Sequence, residues 1–109
     1  MKTTLLALSM ASLLALPAQA QTTLNVITAG DQNMVDYVNT FLAPRFEKLN
    51  PGVSVKAVGT GPGDAGSQKI YEKLSAQSKA GNAAWDVDVA VIHQHGAATM
   101  VKETRLAAY

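Results

Sequence analysis

The sequence predicts an α/β fold, a partial open parallel sheet assembled in the order β-α-β-α-β-α. Three observations carry that reading. Short runs rich in Val and Ile recur along the chain, segments with a 3.6-residue apolar period separate them, and Gly, Pro or Asn punctuates most junctions. Strand–helix alternation of this kind builds parallel sheets with crossover helices.

The first twenty residues stand outside that pattern. Met1-Lys2 is a short positive end, Leu5 to Leu16 is an uncharged apolar run, and Pro17 breaks it. Ala18-Gln19-Ala20 then supplies small residues at the two positions signal peptidase reads, so residues 1–20 have the layout of a cleavable secretory signal peptide. The run is short of the about 20 apolar residues that span a bilayer. The expected mature chain starts at Gln21 and is exported to the periplasm. Without residues 1–20, one of nine Lys/Arg is lost, leaving eight against eight Asp/Glu and zero net charge with His neutral. No basic patch argues for nucleic acid, and no polybasic stretch argues for an anionic membrane surface. Cysteine is absent, so the disulfides that often staple small exported domains are missing. A chain this short buries only about 60–65% of its surface. Residues 21–109 are therefore expected to be the incomplete N-terminal part of a larger lobe.

Within it, Leu24 to Ala29 (LNVITA) reads as the first strand and Val87 to Ile92 (VDVAVI) as the third, both apolar enough for buried parallel strands. The second, Val53 to Gly59, alternates Val53, Val55 and Ala57 with Ser54 and Lys56, which suits an edge. From Asp31 to Asn50, Met34, Val35, Val38, Phe41, Leu42, Phe46 and Leu49 trace one helical face. Asp31 is suited to cap that helix, Asn50-Pro51-Gly52 stops it, and Pro44 predicts a kink or break near Ala43. A second helix is expected from Ser67 to Ala80, with a thin apolar face of Ile70 and Leu74, and a third from Gly96 to about Leu106.

Loops that follow strands lie at the carboxyl edge of such a sheet, where open α/β folds bind ligands. Here they are Gly30-Asp31-Gln32-Asn33, the glycine-rich stretch after Gly59, and Gln94-His95-Gly96. Gly61-Pro62-Gly63-Asp64-Ala65-Gly66 matches G-x-G-x-x-G. It follows the second strand instead of the first, however. Asp86 and Asp88, about twenty residues on, fall at the wrong end of the next strand for holding a ribose. No Gly-Lys-Ser/Thr follows, so it is not a P-loop. The stretch reads as a loop whose backbone N–H groups and helix start cradle a polar group.

Taken together, LNVITAGD, FLAPRFEKLNPGVSVKAVG, the glycine loop before QKIYEKLSAQ, and WDVDVAVI resemble periplasmic solute-binding proteins of ABC transporters. The likeness covers nearly all of residues 21–109. FEKLNPGVSVK looks like their first helix running into the second strand, and WDVDVAVI like a strand opening on Tyr/Trp-Asp-Val. The resemblance implies the first part of lobe 1 of a two-lobed fold that closes on a small polar solute and docks on a permease. It implies ligand contacts from Gly30 and Asp31, from Thr60, Gly61, Gly63, Asp64 and Ser67, and from Gln94 and His95. It implies no cofactor, no metal and no chemistry on the ligand. Family members run several times longer, and the second lobe is missing from this sequence.

Other residues admit other readings. His93 and His95 would share a face on a strand, but two imidazoles do not complete a metal site. Ser67 and His95 suggest a nucleophile and base, yet no G-x-S-x-G elbow precedes Ser67. Trp85 is expected to pack over the amino end of the sheet, and Tyr71 to flank the glycine loop or cover the sheet. The alternatives to solute capture are an exported hydrolase-like α/β enzyme using the same loops, or a truncated product that neither folds nor binds.

Overall fold

A computed structural model describes residues 20–81 and 84–107. The expected signal peptide therefore lies outside the described residues, apart from Ala20. The elements are β1 (Thr22–Thr28), α1 (Gln32–Tyr37), a π-helical turn (Val38–Leu42), α2 (Ala43–Leu49), β2 (Val53–Gly59), α3 (Gly63–Lys79), β3 (Val89–Val91) and α4 (Gln94–Lys102). The three strands form one parallel sheet in the order β2-β1-β3. The α/β alternation is as predicted, and β2 keeps its expected bounds and edge position.

Neighbouring residues of β1 point to opposite faces, and each face has its own core. Val26 packs with Val35, Val38 and Ala57 under the α1–α2 stretch. Ile27 and Ala29 pack with Ile70, Leu74 and Met100 under α3 and α4. The cover is diagonal: one helical layer lies over β1 and β2, the other over β1 and β3. Hence Val89 and Val91, which share a face with Val26 and Thr28 through their register, stay 44% and 39% exposed. β3 is therefore an edge strand and shorter than expected, not a buried one.

The two edges differ. Asn39 donates its side-chain amide to Ala57 O (3.1 Å) and accepts Ala57 N–H (2.9 Å), while Glu47 accepts Val55 N–H (2.7 Å). Side chains of its own crossover thus occupy the outer backbone groups of β2, a common protection for an edge. β3 begins late because a side chain takes one of the two bonds to β1 just before it. Asp88 N–H donates to Asn25 O (2.9 Å), and the Asp88 carboxylate accepts Asn25 N–H (2.7 Å).

The helical stretch after Asp31 is interrupted near Ala43, as Pro44 predicts, but by a π-helical turn between α1 and α2. Pro44 has no N–H to donate and its ring crowds the preceding turn; the π-helical turn ends just before it, with Ala43 N–H reaching Val38 O. The wider turn also alters the phase of the helix. Val35, Val38 and Ala43 are buried, whereas Met34, Phe41, Leu42, Phe46 and Leu49 are exposed, so the expected single apolar face is not buried as one. Asp31 occupies the N-cap position with an extended backbone, but its carboxylate makes no capping bond among the described residues. No helix among the described residues is long and apolar enough to cross a membrane.

Candidate functional site

Register sets the geometry of the carboxyl edge. Thr28 stands opposite Gly59 on one side and Val91 on the other, so the three following loops leave the sheet at one level. Ala29 N–H donates to Val91 O (2.8 Å) and Thr60 N–H to Thr28 O (2.9 Å), extending both ladders into the loops. The chain after β1 then turns to α1 on the Val26 face, and the chain after β3 turns to α4 on the Ile27 face. The parting of adjacent loops to opposite faces is the point where doubly wound sheets hold ligands. Gly30 and Asp31 follow β1 on one side of that parting, and His93 and Gln94 follow β3 on the other.

The glycine stretch is more helical than the sequence suggests. Gly63, Asp64, Gly66 and Ser67 lie in the first turns of α3, which starts four residues early. Gly61 and Gly63 take the left-handed backbone that favours glycine, with φ of 95° and 70°. Gly66 has a different role. A Cβ there would lie 1.9 Å from Gly61 O and 3.3 Å from Ala29 Cα, so only glycine lets α3 approach the loop and β1 this closely. The fingerprint-like pattern thus combines two glycines that set the turn with one, Gly66, that allows close packing of loop, helix and strand.

Two predicted contact residues turn inward. The Thr60 hydroxyl points at Thr28 O (3.1 Å) and Gly66 O (2.9 Å), tying the loop to β1 and α3. Ser67 is 1% exposed, and its Oγ accepts His93 N–H at 3.0 Å. That bond comes from the His93 backbone; no hydrogen bond joins Ser67 Oγ to the His95 ring among the described residues. Gln94 and His95 are helical residues at the start of α4, not loop residues, with His93 at the N-cap. The strand alternation that would align His93 with His95 is therefore absent. No group of three or more His, Cys, Asp or Glu side chains among the described residues could hold a metal ion.

Between the first turns of α3 and α4 lies a cavity of about 380 Å³, lined by Asp64, Ser67, Gln68, Tyr71, His95, Gly96 and Thr99. It unites three of the predicted residues, Asp64, Ser67 and His95. Gly30, Asp31, Thr60, Gly61, Gly63 and Gln94 lie outside it. Gln94 lines a separate hollow with His95 and Ala98. The helices meet closely because Gly96 faces Ser67; a Cβ on Gly96 would sit 2.8 Å from Ser67 Cβ. Gln68, Tyr71, Gly96 and Thr99 were not among the predicted contacts. The spacing of Asp64, Gln68 and Tyr71 was the available signal, since i, i+4 and i+7 share one helix face.

Tyr71 is half-buried against the α3–α4 core, and its hydroxyl donates to Glu103 Oε2 at 2.9 Å. Its ring wall is thereby fixed while its polar end is engaged elsewhere. Thr28, fully buried at the end of β1, has a hydroxyl without a hydrogen-bond partner among the described residues. At the opposite edge, Asp86 pairs with Lys73 (2.7 Å) and also accepts a hydrogen bond from Gln77. The hydrogen bond from Lys73 chiefly, then that from Gln77, holds its carboxyl below the ordinary value. Trp85 lies at that amino edge beside Leu74, Val87 and Leu106, but remains 38% exposed. No protein-family model, curated protein or solved structure matches the chain.

Proposed function

We propose that the chain captures a small polar solute at the carboxyl edge of its sheet, without chemistry on it, for delivery to the permease of an ABC importer. The periplasm is the compartment this reading requires. The observation that supports it most directly is the cavity between the first turns of α3 and α4, lined by Asp64, Gln68, His95 and Thr99, at the edge where the β1 and β3 loops part to opposite faces. Gly30 and the starts of α1 and α4 supply backbone donors there. Asp31, Asp64 and His95 supply side chains that the fold leaves exposed.

A thermal-shift panel of sugars, amino acids, amines and oxyanions tests the reading, with mass spectrometry of each hit after incubation. The expected result is a rise in melting temperature with one chemical class, which binding to the folded state alone produces, and recovery of that compound unchanged. Chemical conversion of the hit points to the enzyme alternative. A panel with no hit removes solute capture as the function of this chain.

A further inference from the structure

The flank of α3 and the segment that follows α4 enclose a second cavity, of about 290 Å³, lined by Tyr71, Glu72, Ser75, Ala76, Lys79 and Arg105. Tyr71, Ser75 and Lys79 are spaced four apart, so one helix face supplies the α3 side. Arg105 reaches the cavity through a strained turn. Thr104 N–H donates to Val101 O (3.1 Å) and Arg105 N–H to Met100 O (2.8 Å), the paired bonds that close a helix C-terminus. The residue between them in such a turn is usually glycine, because its backbone is left-handed. Here it is Thr104, at φ 55°, the one non-glycine with positive φ among the described residues. A β-branched residue there is a backbone outlier, and strain of this kind gathers where a side chain must be placed for binding.

Two donors of this lining are unused. Ser75 is only 8% exposed, and its Oγ has no hydrogen-bond partner among the described residues, not even the carbonyl four residues back that a helical serine commonly takes. Arg105 Nε is also covered and unbonded. Glu103 Oε2 stands 3.6 Å from it, an ion pair too long for a hydrogen bond, and that oxygen already accepts the Tyr71 hydroxyl at 2.9 Å. Buried donors without acceptors cost stability, and each such group asks for a partner. Lys79 adds a second cation. Glu72, the one acid of the lining, is drawn back a turn by Gln68 Nε2, which donates to its Oε1 at 3.1 Å. We propose that this cavity binds a small tetrahedral oxyanion, phosphate or sulfate, through Ser75, Lys79 and Arg105. Three donors on separate side chains suit the several oxygens of such an anion better than the two of a carboxylate, and the Ser75 hydroxyl turns onto one of them by rotation about Cα–Cβ. The bound anion ties the end of α4 to α3 and gives the turn at Thr104 its use. Apart from the Tyr71 ring, the site shares no lining residue with the Asp64–His95 cavity, so it does not rest on solute capture.

Nitrogen-15 NMR of the purified chain, titrated with sodium phosphate, sulfate or acetate while sodium chloride holds the ionic strength constant, tests this. Phosphate should give saturable shifts at the Ser75 and Arg105 amides and at the Arg105 Nε–H. Sulfate shifts that match them assign the site to either anion, and silence with sulfate assigns it to phosphate. Arg105→Gln should weaken phosphate binding at least about tenfold, as loss of a charge-assisted bond does, and Lys79→Gln should weaken it less. Ser75→Ala should melt no lower than wild type without phosphate, yet lose part of the rise in melting temperature that phosphate gives. Circular dichroism confirms that each variant keeps the fold. The proposal is overturned if phosphate moves neither Ser75 nor Arg105, if chloride alone moves them equally, or if folded Arg105→Gln binds like wild type. Tighter binding of acetate overturns the tetrahedral class. Shifts confined to Asp64, Gln94 and His95 place the anion in the other cavity and overturn this one. A phosphate response that survives Arg105→Gln therefore bears on solute capture, and one that is lost bears on this site.

Discussion

Asn39 clamps Ala57 from both sides of its peptide unit, donating to the carbonyl at 3.1 Å and accepting from the N–H at 2.9 Å. One amide side chain thereby completes the outer edge of β2 at Ala57, where a further strand would otherwise be needed. Asn39→Ala leaves two partly buried backbone groups unpaired. The expected loss is about 1–3 kcal/mol, read from urea unfolding midpoints. The freed edge should also promote aggregation, measured by light scattering on warming. A variant as stable and as soluble as wild type would show that the clamp contributes nothing.

Gly66 and Gly81 separate two reasons for glycine. At Gly81 the backbone is left-handed (φ 68°) but a Cβ meets nothing within 4 Å; at Gly66 a Cβ would collide with Gly61 O. Gly81→Ala should cost about 1–2 kcal/mol from backbone strain alone. Gly66→Ala should cost more and should also disturb the glycine loop, visible as altered amide chemical shifts at Gly61 and Ala29. The reverse order of stabilities would contradict the close packing of α3 on β1.

Asp86 gives a pH signature. Its carboxyl is held below the ordinary value of 3.8, chiefly by the Lys73 hydrogen bond. The folded state therefore favours the ionised form. The stability this supplies is full well above pH 3.8 and is lost as the pH falls through the lowered folded value. Asp86→Asn should lower stability near neutrality and converge with wild type in acid. Both partners are substantially exposed, so the difference should be small and shrink in high salt. A difference that persists unchanged at low pH would point to packing instead of charge.

Thr28 tests the carboxyl edge from beneath. Its buried hydroxyl lacks a partner among the described residues, so Thr28→Val, a change of similar shape, removes an uncompensated polar group. Thermal unfolding should show no loss of stability or a modest gain. A loss above about 1 kcal/mol would mean the hydroxyl is hydrogen-bonded after all.

The sequence carried the elements better than their contacts. Gly52 and Gly59 bracket β2, so its bounds were plain. The start of α3 was hidden because Gly63 and Gly66 are poor helix formers: Gly63 is there for its left-handed backbone, and Gly66 only because a loop and a strand come close in space. The bare flank of α1 and α2 was equally hidden: the apolar spacing is helical, but the diagonal cover decides which side is buried. Of the predicted contacts, Thr60 and Ser67 have short hydroxyls whose partners, Thr28 and His93, are distant in sequence. Their inward roles follow from tertiary packing, which local pattern does not encode. Tyr71 and Thr99 entered the cavity for the same reason, through the meeting of α3 with α4.

The sealed edge of β2 has a consequence for the order in which the chain acquires structure. Residues 22–59 contain β1, its crossover and β2, pair along the full length from Thr22 to Thr28, and supply from within themselves the side chains that finish the outer edge. β3 pairs with only Val26 to Thr28 and brings no such cover. The first βαβ unit is thus the expected nucleus, since β1 and β2 pair 31 residues apart (Thr22 with Val53) whereas β1 and β3 pair 63 apart (Val26 with Val89). α3, β3 and α4 add to a template that already exists. In hydrogen exchange, β3 should open first and the β1–β2 ladder last.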